Sequence, residues 1–141
     1  MLNILMTILN YINLRSVWQS QAMQDSQNLQ DLQMQSSNEQ AELMRKQTAE
    51  EELVEMELDG MDDISTEAYT EALKKMSEIA SKYDTLMRTL LAKNQAKERE
   101  IEQQINAREP KIQAVDADIE SLEETLDKRT EENFDYGMMV S

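Results

Sequence analysis

Apolar residues fall at Leu73, Met76, Ala80, Tyr83, Met87 and Leu90, in steps of three and four that place them on one narrow helical seam. The pattern passes through Asn94 and Lys97, resumes at Ile101 and Ile105, and runs on through Ile112, Val115, Ile119, Leu122 and Leu126. The step of four from Ile101 to Ile105, with no intervening step of three, shifts the heptad frame as a stutter does. A lone helix cannot bury such a seam. The segment needs a partner helix, from its own chain or from another.

Upstream, residues 1–18 are the most hydrophobic stretch. Leu2, Ile4, Leu5, Met6, Ile8, Leu9, Tyr11, Ile12, Leu14, Val17 and Trp18 cover most of a helix circumference and leave a polar strip at Asn3, Thr7, Asn10 and Asn13. This is short of the roughly 20 apolar residues of a membrane span. No basic region precedes Leu2, as a cleavable signal peptide would want, and the polar strip lacks the Lys and Arg of an interfacial membrane helix. Burial among helices is therefore expected, with the Asn strip pairing across an interface and setting register. Membrane contact through residues 1–18 is the less favoured alternative.

Residues 19–40 are rich in Gln and Ser with few apolar positions, yet no Gly or Pro occurs before Gly60, so a continuous helix is favoured over a disordered Gln-rich spacer. From Ala41 to Leu58 an apolar edge (Leu43, Met44, Leu53, Val54, Met56, Leu58) runs beside an acidic face. Gly60 suits a left-handed position beyond a helix C-terminus, and Ser65 is a candidate N-cap, with Ile64 and Tyr69 at hydrophobic-staple spacing. Pro110 admits a turn or a kinked helix; the seam stays in phase from Ile105 to Ile112, which favours the kink. The chain thus divides into an apolar N-terminal helix (1–18), a Gln-rich then acidic helix (19–58), a bend (59–64), a heptad helix (65–131) and an apolar tail (132–141).

The composition agrees with long helices: 30% charged residues, 4% aromatic, two Gly and one Pro. The net charge of −15 argues against nucleic acid and anionic membrane as partners. By segment it is about −8 over 39–63, about zero over 64–107 and about −6 over 108–141, so the middle is suited to close packing. The absence of His removes the commonest general base and metal ligand, and the absence of Cys removes disulfides, thiolate metal sites and cysteine catalysis. No catalytic, cofactor or metal site is expected, and the protein reads as a non-enzyme. The acidic bend fits the first positions of a calcium loop from Glu55 through Gly60, but Asp62 and Thr66 then stand where an apolar residue and a bidentate Glu are needed.

An apolar N-terminal helix, a Gln/Ser-rich stretch, a bend and a C-terminal heptad helix, all without Cys or His, form a layout that resembles helical-hairpin filament subunits exported by flagellar or type III systems. The resemblance covers layout and carries over no individual residue. It implies terminal helices paired as a coiled coil, polymerisation around a lumen, and an exported or extracellular location in preference to a cytoplasmic one. The expected fold is all-α, an elongated helical hairpin or coiled coil with its bend at 59–64 and a kink or turn at Pro110. The expected partner is the chain itself, with another helical protein as the alternative. Leu73, Met76, Tyr83, Met87 and Leu90 are assigned to the seam within the hairpin, and Ile101, Ile105, Ile112, Val115, Ile119, Leu122 and Leu126 to its continuation. Leu5, Leu9, Ile12, Trp18, Phe134 and Tyr136 are assigned to contacts between subunits. Three roles compete: a self-assembling structural subunit, an acidic adaptor or chaperone that holds a hydrophobic client helix, and a membrane-anchored coiled-coil spacer.

Overall fold

A computed structural model describes the backbone of residues 2–140 and the side chains of residues 3–133. The protein is an all-α helical hairpin. Helix α1 (Leu2–Asp59, 58 residues) and helix α2 (Thr66–Val140, 75 residues) pack against each other, with no strand among the described residues. The Gln-rich stretch belongs wholly to α1, because Ala22, Asp25, Leu29, Leu32 and Ser36 turn inward at heptad steps and hold it to α2.

The bend is built differently from the expectation at Gly60. No glycine has a positive φ, so the left-handed cap is absent. The Gly60 amide instead donates to the Met56 carbonyl at 3.0 Å, and the Met61 amide donates to the Leu58 carbonyl at 3.1 Å. These bonds tighten the last turn while keeping its right-handed winding, so no left-handed residue is required. A Cβ at position 60 would lie 3.3 Å from the Met56 carbonyl oxygen, a tight contact that a side chain there would relieve only by a shift of a few tenths of an ångström. Ser65 caps α2: its Oγ accepts the Ala68 amide at 3.1 Å and its carbonyl accepts the Tyr69 amide at 3.0 Å. Ile64 and Tyr69 both remain about half exposed.

Helix α2 runs without interruption through Pro110, so the turn alternative does not apply. Its backbone also stays helical beyond residue 131, up to Val140. Gly137 is the poorest helix former there, and one glycine costs a helix only about 1 kcal/mol. Phe134 and Tyr136, assigned to subunit contacts, lie outside the residues whose side chains are described.

The hairpin comprises two compact units, Met1–Asn28 with Glu100–Ser141, and Leu29–Arg99. In the first, Ile8, Val115 and Ile119 form a buried cluster against which Ile4, Tyr11, Ile12, Trp18, Leu122 and Leu126 pack. In the second, Leu32, Val54, Ala72 and Tyr83 are the buried apolar residues.

Pro110 removes one helical hydrogen bond and crowds the carbonyl four residues earlier, while its own side chain is exposed. Pro110→Ala should therefore stabilise the protein by about 1–3 kcal/mol in urea unfolding, without loss of helical circular dichroism.

Candidate functional site

The chemistry of this chain is concentrated on the inner faces of the two helices. On α2 from Ala68 to Ile101 the buried and half-buried positions are Ala68, Ala72, Met76, Ile79, Tyr83, Met87, Leu90, Asn94, Glu98 and Ile101, with Leu91 flanking the line, and the line repeats every eleventh residue (68, 79, 90, 101). From Ile101 onward the inner positions 105, 108, 112, 115, 119, 122 and 126 follow strict heptad steps. The change of period falls beside the boundary between the two units at Arg99 and Glu100. Helix α1 makes a matching change at Ser36. Heptad positions precede it, and 36, 47 and 58 follow at intervals of eleven. A seven-residue repeat winds helices left-handed, whereas an eleven-residue repeat leaves them near straight or slightly right-handed.

That shift relocates part of the expected seam. Leu73 is 53% exposed, and Ala80 and Lys97 also face outward; Ala72, Ile79 and Glu98 hold the inner positions instead. A strict heptad drifts from the true inner line in this unit, which explains the displacement by one residue. Tyr83, Val115 and Ile119 are buried, and Met76, Met87, Leu90, Ile101, Ile105, Ile112, Leu122 and Leu126 are half-buried. Ile12 and Trp18 pack inward on the Ile8 cluster, whereas Leu5 and Leu9 face outward.

Polar pins interrupt the seam. Asn94, only 4% exposed, donates through Nδ2 to Ser36 Oγ at 2.8 Å, and the same hydroxyl accepts Gln40 Nε2 at 3.1 Å. Arg108 pairs with Asp25, both largely shielded, and Arg15 pairs with Asp116 at 2.8 Å nearer solvent. Lys82 donates to Glu50 at 2.9 Å and Lys75 to Glu57 at 3.3 Å. No described buried side-chain polar atom lacks a partner. Cations also lie over rings, Lys82 at 5.1 Å from the Tyr83 centroid and Lys111 at 5.9 Å from that of Trp18. The pairs that cross between the helices favour this register over a slipped one, which apolar side chains alone would tolerate.

The Asn94 position was legible as a polar member of the seam. Asp25, Ser36 and Arg108 were missed, although the heptad line Ala22, Asp25, Leu29, Leu32, Ser36 is visible in the sequence once polar residues are admitted to it. Among the described residues no group of three or more His, Cys, Asp or Glu is placed to hold a metal ion, and no helix is long and apolar enough to cross a membrane. No protein-family model matches the chain, and no curated protein or solved structure is significantly similar to it.

Arg108→Met should cost about 3 kcal/mol, because it leaves the shielded Asp25 carboxylate uncompensated. Asp25→Leu combined with Arg108→Met should recover most of that loss, which a double-mutant cycle in urea reads directly.

The hydrogen bond from Lys82 holds the Glu50 carboxyl below its ordinary value of 4.5, with charge attraction and the Tyr83 hydroxyl assisting against partial burial. The same bond raises Lys82 above its ordinary 10.5. A lowered carboxyl contributes stability above its unfolded pKa and loses it as pH falls through the folded one. A raised lysine contributes below its unfolded pKa and loses it as pH rises through the folded one. Glu50→Gln should thus lower Tm slightly at neutral pH. The gap from the parent should close in acid below the lowered Glu50 value, and in alkali above the raised Lys82 value.

Proposed function

We propose that the protein is a structural, self-associating helical hairpin, the subunit of a homo-oligomeric bundle or filament. The observation that carries this reading is the apolar surface left over after the helices have paired. Leu5, Leu9, Val17, Leu53 and Leu73 are each about half exposed or more, on both helices. No described side chain falls below 2% exposure, so the hairpin has a seam and not a closed core. Stacking hairpins side by side would convert that seam into the interior of a larger bundle. The layout's resemblance to exported filament subunits supports assembly outside the cell.

A second reading is favoured by Met23, Met34, Met44 and Met56, which are 62–67% exposed and recur about every eleventh residue of α1. Exposed, flexible thioethers spread along one helix in this way suit an adaptor that holds an apolar client. Multi-angle light scattering of the purified protein, followed by electron microscopy, separates the two. A structural subunit forms dimers or larger species at micromolar concentration; a dispersed monomer at high concentration, stabilised only by a different co-purifying protein, sinks the leading reading in favour of the adaptor.

A further inference from the structure

Residues 1–24 contain one charged side chain, Arg15, and it is turned toward α2 and ion-paired with Asp116. The outer face of this segment therefore carries no charge at all, in a chain of net charge −15. The same face carries a second heptad line. Met6, Leu9, Asn13, Ser16, Ser20 and Met23 follow steps of three and four, all exposed, on the side of α1 away from the inner positions Ile8, Tyr11 and Trp18. Met6 is 54%, Leu9 53% and Met23 66% exposed, and Val17 flanks the line at 51%.

Resting on the self-association proposed above, we infer that a second copy of this chain docks on this face, α1 against α1 and antiparallel. Two strongly acidic molecules repel wherever carboxylates face each other, and this is the surface where both copies can meet without any. The pairing is isologous, as a two-fold dimer requires. With the axis between Asn13 and Ser16, Met6 of one copy covers Met23 of the other, Leu9 lies over the small Ser20, and Asn13 meets Ser16. A polar Asn within an apolar line sets register at some cost in affinity, as in coiled coils. The antiparallel sense follows from charge: it sends the acidic continuation of α1 in each copy away from the other, whereas a parallel pair would lay the two acidic stretches side by side.

The chain has no cysteine, so introduced thiols report this geometry cleanly. Met6 and Met23 are about 25 Å apart along the helix. A mixture of Met6→Cys and Met23→Cys proteins should oxidise to a mixed disulfide dimer, while neither alone should cross-link comparably. Efficient cross-linking of Met6→Cys with itself, or no cross-linking in the mixture, overturns the antiparallel pairing. In parallel, Leu9→Glu should weaken self-association at least tenfold by light scattering, with helical circular dichroism unchanged. Ile64→Glu, comparably exposed but in the bend, should leave association as it was. If the parent self-associates and Leu9→Glu still does, this face is not the interface, although the structural reading survives. A monomeric parent removes both. A parent that stays monomeric yet binds zwitterionic phosphatidylcholine vesicles, and loses that binding in Leu9→Glu, has a lipid on this face and not a second copy.

Discussion

Two helices share a single line of contact, and that constraint governs everything else in this protein. A side chain on the line has a neighbour on one side and water near the other, which is why even Ile119, Val115 and Asn94 keep 4–5% of their surface exposed. The hydrophobic gain per residue is accordingly small. Specificity has to come from elsewhere. It comes from polar groups placed on the line: Ser36 with Asn94, and Asp25 with Arg108. Each is costly to leave unpaired in a shielded position, so a slipped register would forfeit more than the contacts it regains.

The change from an eleven-residue to a seven-residue repeat is the second organising feature. Ile101 is the last position that belongs to both, and Ser36 plays the same part on α1. Because neither seven nor eleven is a whole multiple of the 3.6 residues of a helical turn, each repeat keeps its line in the interface only by its own winding, and the winding changes where the repeat does. Charge divides differently: in the eleven-residue region α2 is balanced while α1 is acidic, and Lys75 and Lys82 of α2 pair with Glu57 and Glu50 of α1; the heptad region of α2 is acidic.

The hairpin, its bend and the Ser65 cap were legible because each rests on local chemistry: helix formers without breakers, then Gly60 and a run of aspartates, then a hydroxyl at a helix start. The heptad seam from Ile112 to Leu126 was legible for the same reason. Leu73 was misplaced because a large apolar residue outweighs Ala72 on any hydropathy reading, while the structure selects by angle and accepts the smaller side chain. Gly60 was expected to be left-handed from residue type, but type permits that conformation without demanding it. The polar pins were hidden because their partners lie 58 and 83 residues away, a separation no local pattern spans.

Those separations carry a kinetic consequence. Lys75 and Glu57 are 18 residues apart, Lys82 and Glu50 32, Asn94 and Ser36 58, Arg108 and Asp25 83, and Arg15 and Asp116 101. Closing a loop costs more entropy as it lengthens, but closing a longer loop around a shorter one already formed costs little. The hairpin should therefore fold as a zipper, nucleated at Gly60–Ser65 and advancing toward the chain ends. On a nascent chain the apolar first 18 residues would wait, uncovered, until residues beyond Val115 had been made.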